Sequence, residues 1–164
     1  MKGKRFVFVD KATTAGFLLP LAYFKKQGVK DYKTYFKETY FSGTHEDAIH
    51  DVLNKKADIG AAKNTVFERL AQADKRIRLD LEILEKSPDV PENGLAVRKS
   101  LDPSVKKAIQ ETLLNMPNDP MGKTVLKIFG ARKFIRTTDK DYDPVFEYAH
   151  KIKLDLAQYD YMNE

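Results

Sequence analysis

Four consecutive apolar residues, Phe6-Val7-Phe8-Val9, end abruptly at Asp10. A β-branched and aromatic run without alternation predicts a strand buried on both faces, as in a parallel sheet. A polar stretch to Gly16 follows, and then Phe17, Leu18, Leu21, Ala22 and Phe24 recur at helical spacing until Gly28, with Pro20 either opening or kinking that helix. Thr39-Tyr40-Phe41 predicts a second strand. After Ser42-Gly43 a helix starts at His45 and buries Ala48, Ile49, Val52 and Leu53. Thr44, three residues before Asp47, resembles a capping box. Ala57–Ala62 predicts a third strand, Asn64–Ala71 a helix with Val66, Phe67 and Leu70 inward, and Leu81–Leu84 a fourth strand. Strand and helix alternate, so residues 4–86 are expected to form an α/β lobe on a mostly parallel sheet.

The pattern changes at Ser87-Pro88-Asp89-Val90-Pro91-Glu92-Asn93-Gly94, where two prolines and a glycine mark a crossover or hinge. A short strand, Leu95-Ala96-Val97, is expected next. Asp102-Pro103 opens a helix burying Val105, Ile109 and Leu113. Another helix carries Val125, Ile128 and Phe129 to a stop at Gly130. The last begins near Asp143-Pro144, with Val145, Tyr148, Ala149, Ile152 and Leu156 on one face. Residues 87–164 thus read as a hinge return and the C-terminal helices of an incomplete second lobe, with too little strand for a sheet of its own.

Composition narrows the chemistry. The 164 residues are 42 % hydrophobic, enough to build a core. There is no cysteine, which removes disulfides, thiolate metal sites and cysteine nucleophiles together. The net charge of +5 is spread among 24 acidic residues, so a nucleic-acid partner is not expected. No apolar run reaches the ~18 residues of a membrane span. The basic start Met1-Lys2-Gly3-Lys4-Arg5 precedes an apolar run too short for a signal-peptide core, so no export signal is expected in these residues. Three scattered histidines give a metal site little support, and no cofactor is expected.

Two strand-to-helix turns share one logic. Asp10–Gly16 and Ser42–His45 each place hydroxyls and unpaired backbone N–H groups at a helix start, where the dipole also favours negative charge. In an open parallel sheet such turns meet at the carboxyl ends of the strands. A phosphate or phosphonate offers several acceptor oxygens to hydroxyls, amides and an imidazole N–H. Either turn alone is equally an ordinary N-cap. His45 is poorly placed as a cation at a helix N-terminus, which favours a neutral donor; His50 and His150 read as surface residues.

The order Asp10–Gly16, Phe41-Ser42-Gly43-Thr44-His45-Glu46, Ala57-Asp58-Ile59-Gly60-Ala61-Ala62, then Ser87-Pro88 through Gly94-Leu95-Ala96-Val97-Arg98-Lys99 resembles the phosphate/phosphite/phosphonate substrate-binding proteins of ABC transporters. Asp141-Tyr142-Asp143-Pro144-Val145 is similar to that family's end. The resemblance spans almost the whole chain but aligns with the later part of a family member. It implies a periplasmic-binding-protein-like fold in which two lobes close on a small oxyanion, a periplasmic or extracytoplasmic location, and ABC transporter membrane subunits as partners of the full-length protein. It further implies that Thr13 and Thr14 hold phosphonate oxygens, that His45 donates to the same group, and that Ser42 shapes its turn. Ala15 stands where the family usually has another hydroxyl. Lys63, beside Asn64, occupies the neighbourhood of an acidic residue that meets the amine of aminophosphonates. A cation there disfavours an ammonium-bearing ligand. An uncovered lobe interface would favour self-association.

Two rivals stand beside this reading. A ligand-sensing input domain of a receptor would use the same fold. Asp10 and Thr14 after the strand also resemble the Asp-x-Asp-x-Thr motif of haloacid-dehalogenase-type phosphatases, but Ala12 replaces the acid, so no enzyme is expected.

Overall fold

The computed structural model describes residues 1–90, 92 and 94–162; Pro91 and Asn93 of the expected hinge lie outside the described residues. The chain forms two compact units, Met1–Asp89 with the segment from Asp143 onward, and Val90–Tyr142.

In the first unit, β1 (Arg5–Phe8) is the middle of a three-stranded parallel sheet ordered β2-β1-β3. A π turn (Thr14–Leu18) runs into α1 (Leu19–Lys26), and Pro20 sits in the first turn of α1, where its missing N–H costs nothing. A short α2 (Tyr32–Tyr35) leads to β2 (Glu38–Phe41), which pairs with β1 from Arg5↔Glu38 to Phe8↔Phe41. Next, α3 (His45–Leu53) leads to β3 (Ile59–Gly60), then to α4 (Asn64–Ala73) and α5 (Arg76–Asp80).

The apolar run in β1 is explained by its position. Phe6 and Phe8 face one side, in a cluster with Phe17, Phe24, Val29 and Phe36. Val7 and Val9 face the other, against Ala48 and Ala57. The helices α1 and α3 therefore cover opposite faces of the sheet. Within the aromatic cluster, Phe6 meets Phe24 edge-on at 5.1 Å and Phe8 meets Phe17 at 5.2 Å, the geometry that ring quadrupoles favour. A third cluster, Ile49, Leu70, Ala71 and Ile77, joins α3, α4 and α5.

At the amino ends of the strands, Arg5 donates through Nη2 to Asp58 Oδ1 at 3.0 Å and to the Lys55 carbonyl at 2.8 Å. These hydrogen bonds fix the entry of β3 beside β1, and the Arg5 guanidinium and backbone N–H, both donating to Asp58, hold its carboxyl down to about 2.

The second unit contains α6 (Pro103–Asn115) and α7 (Pro120–Phe129), linked by a tight 3-10 turn at Met116–Asn118. Asp102 and Asp119 cap the two helices through the N–H groups of Ser104 and Gly122. The last helix, α8 (Asp143–Lys151), packs on α1 in the first unit.

Several expectations need correction. Leu81–Leu84 is not a strand: the preceding residues coil into α5, Ile77 fills the core position, and Ile83 and Leu84 are exposed. Leu95–Val97 forms no strand either, since no described strand lies alongside to take its hydrogen bonds. The faces expected to be buried on α6 and α7 are largely open, with Val105, Ile109, Val125, Ile128 and Phe129 exposed; Leu126 is the buried side chain of α7. The expected 87–164 segment divides at residue 143, because Ala149 of α8 is buried and Tyr159 stacks on Phe17 of the first unit.

Gly16 permits the close approach of the π turn to β1. A Cβ there would stand 2.6 Å from both Thr13 Oγ1 and Val9 Cγ2, and closer still to Val9 Cβ. Gly16→Ala is expected to lower stability by about 1–3 kcal/mol, the usual cost of overpacking a tight site. Urea denaturation measures it, and an unchanged midpoint would show that the turn has room to move.

Candidate functional site

With β1 central, the chain leaves it in one direction for β2 and returns over the other face to β3. Such a reversal opens a crevice at the carboxyl ends of the strands. Three turns meet there, and backbone hydrogen bonds lace them together. The Val9 N–H donates to Gly16 O at 3.2 Å, while Val9 O accepts from the Gly43 N–H at 2.8 Å. Ser42 N–H donates to Phe8 O, and Ala61 N–H to Val7 O. The first and second turns therefore lie side by side, and the third follows β3.

In the first turn, Asp10 Oδ1 accepts from the Ala12 N–H at 2.7 Å, and Asp10 O accepts from both the N–H and the hydroxyl of Thr13. The Thr13 proton is thereby directed at the turn itself, at 2.5 Å. Thr13 O accepts from Phe17 and Leu18, so the N–H groups of Thr14, Ala15 and Gly16 precede the first bonded turn and carry the positive end of the helix. Thr14 is half-buried at that helix start.

In the second turn, Gly43 adopts φ +84°, a conformation that disfavours a side chain. The Ser42 hydroxyl lies 3.1 Å from Phe8 O and 3.0 Å from Thr44 O; its single proton is shared between two carbonyls, a turn-building role. Thr44 accepts from the Asp47 N–H and donates to the Asp47 carboxylate, so the capping box forms with its second arm on the hydroxyl.

His45 links the second and third turns. Its Nδ1 accepts a 3.1 Å hydrogen bond from the backbone N–H of Lys63. A ring nitrogen that accepts carries no proton, so the neutral ring holds its proton on Nε2. Burial, and then the Lys63 charge, lower the pKa of His45 below its ordinary 6.5. The conflict between a cation and the helix dipole is thus resolved by neutrality. Lys63 itself is the N-cap of α4, half-buried, and Asn64 is the first residue of that helix, exposed. Thr14, His45 and Asn64 each stand at a helix start on one edge of the sheet.

Sequence reasoning missed the orienting role of the Lys63 backbone and the arrival of the C-terminal segment. A cavity of about 380 Å³ beside the first turn is lined by Ala12, Thr13, Thr14, Leu154, Leu156 and Tyr159 among others. The Tyr159 hydroxyl is buried without a hydrogen-bond partner among the described residues, and burial above all pushes its pKa up to about 12. No local pattern around Tyr159 marks it, because Phe17, Tyr32 and Asp10, which it meets, lie far back in the chain. Among the described residues, no group of His, Asp or Glu is arranged to hold a metal, and no helix is long and apolar enough to cross a membrane.

Residues 1–142 match the family model described as ABC transporter, phosphonate, periplasmic substrate-binding protein. The phosphonates-binding periplasmic protein of Escherichia coli K12 is 28 % identical over 141 residues, covering 85 % of this chain and 41 % of that protein. The probable ABC transporter phosphite binding protein PhnD1 of Prochlorococcus marinus MIT 9301 is 25 % identical over 157 residues, covering 93 % of this chain and 53 % of that one. Its structure in complex with methylphosphonate superposes with a TM-score of 0.79 over 93 % of this chain and 58 % of the other. A binding protein component of an ABC phosphonate transporter from Pseudomonas aeruginosa gives 0.77 at 27 % identity, covering 99 % and 54 %. The chain spans about half the length of the curated relatives it matches.

The depressed pKa of His45 has a consequence for stability. The unfolded chain takes up a proton near 6.5 while the folded chain resists it, so the contribution is complete above that pH and is lost as pH falls through the folded value. Urea midpoints are expected to fall from pH 7 to pH 5 more for the parent than for His45→Asn, whose amide oxygen can still accept from Lys63. Nitrogen-15 spectra of the imidazole check the tautomer directly: protonated Nδ1 in the neutral ring would contradict the geometry.

Proposed function

Because the chain belongs to the periplasmic phosphonate-binding family of ABC transporter substrate-binding proteins, we propose that it binds a small phosphorus oxyanion at the carboxyl edge of its sheet, without transforming it. The observation that carries this reading is the hydrogen bond from Lys63 N–H to His45 Nδ1, which leaves Nε2–H as a donor among three helix starts. In this assignment the N–H groups of Thr14, Ala15 and Gly16 and the Thr14 hydroxyl meet the anion's oxygens, and His45 Nε2–H adds a donor. Thr13 and Ser42 act by holding their turns, with the Thr13 oxygen beside the site. Lys63 supplies positive charge and Asn64 a side-chain amide at the third helix start.

The residues present support binding rather than catalysis. Asp10 is committed to its own turn, and Ala12 follows it where a phosphatase of this geometry would need a second acid. The role is that of the solute-binding component of a phosphonate, phosphite or phosphate transporter, working outside the cytoplasm with membrane subunits. The similarity to proteins named for phosphonate and phosphite binding supports it. The open faces of α6 and α7 favour self-association of the isolated chain.

Calorimetric titration with phosphate, phosphite and methylphosphonate tests the site. A hydrogen bond to a charged partner contributes ~1.5–3 kcal/mol, so His45→Ala should weaken binding by about one to two orders of magnitude. His50→Ala and His150→Ala should leave binding unchanged. An ammonium-bearing ligand such as 2-aminoethylphosphonate should bind more weakly than methylphosphonate, and Lys63→Glu should narrow that gap. Equal binding of all three oxyanions by His45→Ala and the parent would remove the histidine from the site.

A further inference from the structure

The opposite edge of the same sheet carries a different chemistry. Residues 2–5, 25–38 and 54–58 enter the three strands, and backbone contacts join them into one surface. Gly3 N–H donates to Tyr35 O, Lys37 N–H to Lys4 O, and Asp58 N–H to Arg5 O. These segments hold ten basic residues against three acidic ones. Nineteen basic and twenty-one acidic residues remain elsewhere, so the whole positive excess of the chain lies on this edge.

Nine of the ten are lysines, and all nine are exposed. Two of the three acids are already engaged: Asp58 holds Arg5, and Asp31 caps α2 through the Lys33 N–H. Lys2, Lys30, Lys33 and Lys37 make no ion pair among the described residues. Lys56 pairs with Asp51, and compensation of the helix dipole accounts for Lys25 and Lys26 at the end of α1. It does not account for Lys2, Lys30 or Lys37, which lie outside the last turn of any helix. Nor does ligand capture, since the oxyanion turns are at the far ends of the strands.

We propose that this lysine edge docks the protein on an anionic phospholipid surface. Lysine ammoniums on flexible stems suit a laterally mobile layer of phosphodiesters, where each charge near the surface adds to the attraction. The one arginine is held by Asp58 and Lys55, so no guanidinium fork is offered for reading nucleic-acid bases. Tyr35, half-buried and edge-on to Phe36, adds an amphipathic ring beside them. Docking by this edge keeps the carboxyl-edge turns pointing away from the lipid, and the inference stands independently of the oxyanion assignment.

Sedimentation with vesicles tests it. The chain should pellet with phosphatidylglycerol-containing phosphatidylcholine vesicles and not with phosphatidylcholine alone, and high salt should release it. Removing three charges, in Lys30→Gln/Lys33→Gln/Lys37→Gln, should weaken partitioning by about a hundredfold. Titration of that variant with methylphosphonate should match the parent, which separates this surface from the anion site. Failure to pellet with anionic vesicles at low salt overturns the proposal, as does equal pelleting with neutral vesicles or by the triple variant. Tighter binding to single-stranded DNA than to vesicles also overturns it, because the partner would then be a different polyanion.

Discussion

The main chain of one residue, Val9, holds the site together. Its N–H binds the end of the first turn and its carbonyl binds the start of the second, so neither loop can move without breaking a hydrogen bond at a residue that is 1 % exposed. An unpaired amide in such a place is costly, and water cannot reach it to compensate. Gly16 belongs to the same constraint, since its carbonyl can reach Val9 only because no Cβ intervenes. The doubly covered strand thus serves as a rigid post on which two loops are hung.

What those loops present is a concentration of helix N-termini with little formal charge. In the proposed site, orphan N–H groups and partial dipoles face the anion, while the groups that hold the loops are themselves satisfied: Ser42 between two carbonyls, Thr44 with Asp47, Thr13 on Asp10. Keeping His45 neutral fits this design. A charged imidazole would oppose α3, whereas a neutral one, oriented by the Lys63 amide, adds a donor without repelling the dipole.

Legibility in the sequence follows the range of the interaction. Phe6–Val9, the capping box at Thr44, the start of α3 at His45 and the start of α4 at Asn64 are local signals, and each element stands where its pattern places it. The third strand was legible in place but shrinks to Ile59–Gly60, since length depends on a neighbour to pair with. Leu81–Leu84 looks like a strand for the same reason that any short apolar run does, and the fold spends those residues differently once Ile77 is buried. The tautomer of His45 depends on an amide 18 residues away, and the return of Tyr159 to Phe17 on a contact across almost the whole chain; neither leaves a periodic trace.

The central strand has a further consequence, for synthesis. Arg5–Phe8 is made before both of its partners, Glu38–Phe41 and Ile59–Gly60. At a ribosomal pace of about 5–20 residues per second, the most adhesive stretch of the chain waits several seconds before both of its edges are occupied. Until then it is an open strand rich in phenylalanine and valine, the composition that pairs readily with another nascent copy. The lysines on both sides of it, at Lys2, Lys4 and Lys11, are therefore gatekeepers during that interval, keeping neighbouring chains apart until α1 and β2 arrive.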